Sequence, residues 1–328
     1  MYRSDMVRVY DVITVGETTM DAFMTLDDSS EKVHLDKEAG ELCFKHGEKI
    51  NVSRYDFQMG GNATNVAVGL SRLGLQATLC SEIGDDEFSI KIRNSLAKEH
   101  IERLLMIQTP GVSSFSTIIN FKGDRTLFVQ DVERKHEFHF DEVTTKYIYL
   151  TSLGQEWEPA YKKVLSFAQA EKALIAFNPG HHQIREGKET IHEVLEHTEI
   201  LFVNKEEAEL ILFHHYGEKD DDSDEYLQKL AEKLQKKGPK MVVITNGKDG
   251  SYVLDASGKW HYRKMFPGKV VERTGAGDAY ASGFLAATVH GLSVEDAMLW
   301  GAANAASVVE HIGAEAGLLT REGIEGEV

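Results

Sequence analysis

A chain of 328 residues, 42% of them hydrophobic, can bury a large core, and its length implies one large domain or two small ones. The net charge of −17 argues against a nucleic-acid or anionic-membrane surface, and no apolar run approaches the ~18 residues a membrane helix needs. No signal-peptide pattern opens the chain, because Arg8, Tyr10, Asp11 and Thr14 break up residues 7–15, so a cytoplasmic location is expected.

Residues 10–16 read as a short apolar strand, left by Glu17 to Asp21. Residues 25–57 are polar, with short β-like pieces and no helical period, and read as an insertion of turns and small strands. Cys43 and Cys80 lie in apolar surroundings without C-x-x-C spacing, which predicts buried, reduced thiols. The run G-G-N-A-T-N at 60–65 opens a helix to about Leu73. A strand over 76–81, a helix over 86–98 and a strand over 101–108 follow. Residues 114–121 and 125–130 alternate around Lys122, Gly123 and Asp124, the pattern of a β-hairpin. This hairpin and the insertion are expected to form one small β subdomain.

From residue 146 strands and helices alternate. Strands are predicted over 147–150, 173–177, 200–203 and 240–245, with helices near 159–170, 189–196, 205–213 and 220–237. The last of these helices starts with an acid run at Asp220, Asp221 and Asp222. A hairpin of 250–254 with 259–263 and two helices, 275–290 and 293–310, complete the pattern. Apolar strands alternating with helices imply a mostly parallel sheet covered on both faces. Residues 1–328 are therefore expected to be one α/β domain with a β lid formed by about 25–58 and 112–131.

The chemistry is densest at Val270 to Phe284, V-V-E-R-T-G-A-G-D-A-Y-A-S-G-F. Ala276, Ala279, Tyr280, Phe284 and Ala287 recur at helical spacing, so Gly275, Ala276 and Gly277 bring backbone donors to a helix N-terminus suited to a phosphate. Asp278 in the first turn either complements the helix dipole or takes a proton beside that anion site. Ligands in such sheets gather at the carboxyl ends of strands. Asn204 and Glu207 stand there at i, i+3, spaced either for Mg²⁺ and its waters or for a capping box. Thr245 to Gly250 and Asn178 leave two further strands, as ligand contacts or ordinary turns. Asp21, Gly60, Gly61 and Asn65 either suit the hydroxyls of a polyhydroxylated molecule, or Gly60 and Gly61 form a tight turn and Asn65 is a satisfied helix-entry amide. The fourteen histidines show no metal-ligand spacing, and neither a P-loop nor a G-x-G-x-x-G run after the first strand occurs.

On these residues the chain resembles the PfkB/ribokinase family of carbohydrate and nucleoside kinases, over nearly its whole length. Gly60, Gly61, Ala63, Asn65, Ala67, Gly74 and Gly84 fit the N-terminal signature, and Gly275-Ala276-Gly277-Asp278 with Ser282-Gly283 the C-terminal one. The resemblance implies a ribokinase-like three-layer sandwich and transfer of the γ-phosphoryl group of ATP to a hydroxyl of a sugar or sugar derivative. Asp278 would be the base, and the N–H groups of Gly275, Ala276 and Gly277 the anion hole. Asn204 and Glu207 would organise Mg²⁺. Asn178, Thr245, Gly247, Gly250 and Asn304 would contact ATP, and Asp21, Gly60, Gly61, Asn65 and Glu156 the acceptor. Glu272-Arg273 stands where the family usually has Asp-Thr. Glu272 is thus a candidate ligand for a monovalent cation, with K⁺ activation in doubt. A nucleoside kinase and a non-catalytic sensor on the same scaffold are the alternatives. The lid edges, with unpaired strands, are where two copies of the chain are expected to pair.

Overall fold

The computed structural model describes residues 7–122, 124–130, 132–215 and 222–327. The chain starts with β1 (Arg8–Val15), β2 (Thr19–Leu26), β3 (Val33–Asp36), β4 (Glu41–Phe44) and β5 (Val52–Gly60), then α1 (Asn62–Arg72). Next come β6 (Ala77–Ile83), α2 (Glu87–Lys98), β7 (Met106–Gln108), β8 (Phe115–Phe121), β9 (Asp124–Gln130) and β10 (Val143–Leu150). The second half contributes α3 (Trp157–Glu171), β11 (Leu174–Phe177), α4 (His181–Glu186), α5 (Glu189–Glu196), β12 (Thr198–Asn204), α6 (Lys205–Phe213) and α7 (Asp224–Gln235). It ends with β13 (Met241–Thr245), β14 (Ser251–Leu254), β15 (Trp260–Arg263), α8 (Ala276–Val289), α9 (Val294–Val309) and α10 (Arg321–Glu327).

Nine strands form the main sheet in the order β15-β14-β13-β12-β11-β10-β1-β6-β7. Neighbours from β13 to β7 run parallel, and only the β13–β14 and β14–β15 pairs are antiparallel. Strand alternation divides the core between the two faces. Ile148 and Leu150 of β10 join Leu201 and Val203 of β12 in a cluster with Trp157, Tyr161 and Leu230. Tyr149, Ile200 and Phe202 point the other way, onto Leu70, Phe284 and Met298 of α1, α8 and α9. The fold is therefore the ribokinase-like α/β sandwich, with helices on both faces of a mostly parallel sheet.

Four strands form a second sheet in the order β5-β2-β8-β9, and β3 and β4 pair as a separate hairpin. Its register sets Asp21 opposite Gln58 on one side and Ser116 on the other. The edge strand β9 leaves Leu127, Phe128 and Val129 exposed, so both of its faces carry apolar side chains in solvent.

Several expectations need correction. Strand β2 starts at Thr19, where the polar run around Glu17 to Asp21 suggested a loop; β-bonding to β5 and β8 overrides the weak local pattern. The strand expected over 101–108 is reduced to Met106–Gln108, with one bridge from Thr78 to Glu102. Helices α4 and α10, each under two turns or about that long, were not expected. Cys80 is buried but Cys43 is exposed, because on β4 the neighbouring Leu42 turns inward and period two sends the thiol outward. Gly123, Asp220 and Asp221 of the expected hairpin turn and acid run lie outside the described residues. Asp222 is described and pairs with Lys205 at 2.7 Å.

Candidate active site

Helix α8 starts beside the carboxyl ends of the parallel strands. Gly275 is its N-cap with φ +77°, in the left-handed region that favours glycine. A Cβ there would lie 2.4 Å from the Ala314 Cβ, so glycine also permits close contact with that loop. At Gly277 a Cβ would meet nothing within 4 Å, so this turn faces open space. The Ala276 amide makes a long turn bond of 3.4 Å to the Arg273 carbonyl. Among the described residues the Gly275 and Gly277 amides have no partner. Orphan donors at a helix N-terminus are competent to receive an anion.

Asp278 follows in that first turn, 8% exposed. Burial pushes its carboxyl up to about 7, against a hydrogen bond that favours the charged form. The donor is Asn65 Nδ2, 2.8 Å from Asp278 Oδ2. Asn65 stands in the first turn of α1, where its amide closes onto the Gly61 carbonyl; its own Oδ1 is buried without a partner. Gly61, at φ +95°, would bring a Cβ to 2.4 Å from the Glu17 carbonyl oxygen. At Gly60 a Cβ would come within 2.1 Å of Asp21 Oδ2. The two glycines thus let α1 and the Asp21 carboxylate approach the same turn. Asp21 is buried, which raises it to about 6, while bonds from Thr19 and Ser116 lower it and the charge of Glu272 raises it. A carboxyl that titrates near neutrality can accept a proton under the conditions where it is needed.

Asn204 and Glu207 form the full capping box: Asn204 Oδ1 accepts from the Glu207 amide at 2.8 Å, and Glu207 Oε2 accepts from the Asn204 amide at 2.9 Å. Glu207 is pushed up to about 7, first by burial, with the charges of Glu206 and Asp278 adding to it. Burial raises the Tyr149 hydroxyl, which has no hydrogen-bond partner, and the charges of Asp278 and Glu207 add to the rise. Strand β10 gave no sign of this in the sequence, since an aromatic in an apolar strand reads as core.

The remaining expected positions separate. Asn178 Nδ2 ties the end of β11 to the Phe202 carbonyl at 2.8 Å. Thr245 ends β13; Gly247 faces open space, and a Gly250 Cβ would fall 2.2 Å from the Arg263 carbonyl oxygen across the hairpin. Asn304 is fully buried, and both ends of its amide are engaged. It donates to the Ala279 carbonyl and Ser282 Oγ at 2.9 and 3.1 Å and accepts from the Leu319 amide at 2.9 Å. Glu156 is the exposed N-cap of α3 and makes no side-chain cap. No group of three or more His, Cys, Asp or Glu that could hold a metal ion occurs among the described residues.

Glu272 is 6% exposed and heavily engaged. Its Oε1 accepts from the Thr274 amide at 2.8 Å and Arg125 Nη1 at 2.9 Å, and its Oε2 lies 3.4 Å from the Gly313 amide. Arg125 lies on β9. A cavity of about 800 Å³ opens between Thr25 and Asn120 of the second sheet, Leu35 of the hairpin, and Val271, Glu272 and Arg273.

A profile described as pfkB family carbohydrate kinase matches residues 11–321. The ATP-dependent 6-phosphofructokinase of Thermoanaerobacterium thermosaccharolyticum is 24% identical over 318 residues, 93% of this chain and 89% of that protein. The nucleoside kinase of Methanocaldococcus jannaschii is 28% identical over 276 residues, 80% of this chain and 82% of that one. Among solved structures, Arabidopsis thaliana ribokinase complexed with ribose and ATP superposes with a TM-score of 0.75 at 17% identity, covering 97% of this chain and 98% of that one.

Proposed function

The chain belongs to the pfkB family of carbohydrate kinases, phosphotransferases with an alcohol group as acceptor, and from that premise we propose that it transfers the γ-phosphoryl group of ATP to a hydroxyl of a sugar or sugar derivative. One observation carries the reading: Asp278 is a buried carboxyl titrating near 7, held by Asn65 at the open N-terminus of α8. Asp278 takes the proton of the attacking hydroxyl. The amides of Gly275, Ala276 and Gly277 receive charge on the transferred phosphoryl, since phosphoryl transfer is catalysed chiefly by positioning and fixed donors. Asp21, beside Gly60 and Gly61, and Asn65 orient the acceptor through its hydroxyls; the 800 Å³ cavity at Arg125, Glu272 and Arg273 is of small-molecule size but is lined by none of these four residues. The second sheet acts as the lid that excludes water.

Glu207 fits a hydrated divalent cation. It and Asp278 are acidic neighbours raised by burial, and no Lys or Arg pairs with either among the described residues. Asn204 and Glu207 would hold Mg²⁺ through its waters; when bound, the ion neutralises phosphate charge. Nucleotide would lie along Asn178, Thr245, Gly247 and Gly250. Asn304 is better assigned to packing, because its amide is spent inside the fold. Glu272 does not fit a monovalent-cation site, because Arg125, Thr274 and Gly313 already occupy its carboxylate.

The test is ADP formation with Mg·ATP across sugars, sugar phosphates and nucleosides, with Asp278→Asn beside wild type. Turnover on a sugar class that the variant loses supports the proposal. Turnover only on nucleosides moves the acceptor to that class, and ATP binding without turnover on any of them points to a sensor. Equal activity of variant and wild type would sink the assignment of Asp278.

A further inference from the structure

We infer that Arg125 is a positioning residue that couples the second sheet to the anion-receiving turn of α8 through Glu272. The inference rests on the kinase reading above and extends it to a residue that touches no reacting atom. Glu272 holds together three segments. Its Oε1 accepts from the Thr274 amide, which immediately precedes the N-cap Gly275, and from Arg125 on β9. Its Oε2 approaches the Gly313 amide, next to Ala314, against which Gly275 packs too closely for a Cβ. Behind it, the Val271 and Glu272 amides both donate to the Val309 carbonyl at the end of α9. The orientation of the 275–277 amides therefore depends on this carboxylate, and the carboxylate depends on a cation brought by another sheet.

The opposite edge of the same sheet makes a matching grip. Gln58 on β5 donates to the Ile312 carbonyl at 3.0 Å, and a Cβ on Gly313 would fall 1.9 Å from Gln58 Oε1. With the order β5-β2-β8-β9, Gln58 and Arg125 hold the 272 and 312–313 segments from the two edges, with Asp21 on β2 between them. A sheet seated over the acceptor thus also sets the donors that meet the phosphoryl group. The Glu272 side chain is only 4% exposed, against 31% for Arg125, so loss of the arginine leaves a buried carboxylate without its cation. That carboxylate then turns to water, and its bonds to Thr274 and Gly313 loosen.

The experiment compares wild type, Arg125→Ala and Arg125→Lys by hydrogen exchange of the ligand-free proteins and by kinetics with Mg·ATP and the best acceptor. In Arg125→Ala the Thr274 and Gly313 amides should exchange at least ~10-fold faster while β12 and β13 amides keep their wild-type rates. Its kcat should fall by about 10-fold or more, the scale of a small misplacement of reacting groups, with KM for Mg·ATP changed less than about twofold. Added guanidinium ion at millimolar concentration should restore part of the lost kcat, as should lysine. If the Thr274 and Gly313 amides are unaffected, or if kcat falls without rescue and in proportion to a general loss of protection, the inference is wrong. Should wild type turn over no acceptor at all, the kinase reading fails, and the exchange comparison still decides whether Arg125 holds this turn.

Discussion

Asn65 and Asp278, 213 positions apart in the chain, are joined by a hydrogen bond of 2.8 Å between the first turns of two helices. The bond lowers the proton affinity of a carboxyl that burial raises, and the balance falls at about 7. Asp278→Asn keeps the shape and removes the proton acceptor. Its kcat is expected to fall by about 10²–10⁴-fold with ATP binding retained, measured by initial rates and calorimetry. Asn65→Leu removes the opposing bond, so the pH midpoint of kcat/KM should rise above that of wild type.

Stability should depend on pH with the same sign for three acids. Burial raises Asp278 to about 7, Glu207 to about 7 and Asp21 to about 6. In the unfolded chain carboxyls titrate near 4, so the folded protein binds more protons between about pH 4 and 7. The stabilisation tied to these groups is complete below about pH 4 and is lost as pH rises through the folded values. The Tm of the ligand-free protein should therefore fall from pH 5.5 to 8, and Asp278→Asn should flatten part of that fall. An unchanged slope in the variant would contradict the upward shift.

Much of this was legible in the sequence, because backbone-dominated features have local signatures. The glycine turn at 275–277, the capping box of Asn204 and Glu207 and the strand–helix alternation all depend on residues near one another in the chain. Strand β2 was not legible, since its hydrogen bonds come from β5 and β8 and its own run is polar at the start. The grip of Arg125 on Glu272 was hidden for the same reason: 147 positions separate them, and neither has a local pattern that names the other.

Asn304→Ala separates packing from nucleotide contact. The side chain joins α8, α9 and the Leu319 loop with its whole amide. Its loss leaves buried partners unpaired at about 1–3 kcal/mol, so chemical denaturation should show a clear destabilisation. KM for ATP in the surviving folded protein should stay within about twofold of wild type; a selective rise would return Asn304 to the nucleotide site.

Monovalent cations should matter little. With Arg125 and Thr274 on the Glu272 carboxylate, rates in Na⁺ and K⁺ buffers of equal ionic strength should agree within about twofold. Activation by K⁺ well beyond that would show that the carboxylate opens to an ion in solution.

Gly60→Ala tests the route by which Asp21 reaches the site. The added methyl would overlap the Asp21 carboxylate at 2.1 Å, so the acid must swing away. KM for the acceptor should rise by about 10-fold or more, the scale of about one and a half kcal/mol of lost binding, with KM for ATP less affected.

The strand order has a consequence for how the molecule is made. β1 leaves the ribosome before the other strands of the main sheet, yet it is an interior strand whose neighbours are β6 and β10. At roughly 5–20 residues per second, β10 emerges on the order of ten seconds after β1, and for that interval one side of β1 has no partner. After β10 the sheet grows outward in strict order through β11, β12 and β13, each strand docking on the one just synthesised. Stalled nascent chains should therefore gain protection along β1 once β10 is exposed, while full protease resistance should wait for α8 and α9, whose Phe284 and Met298 cover one face of the sheet.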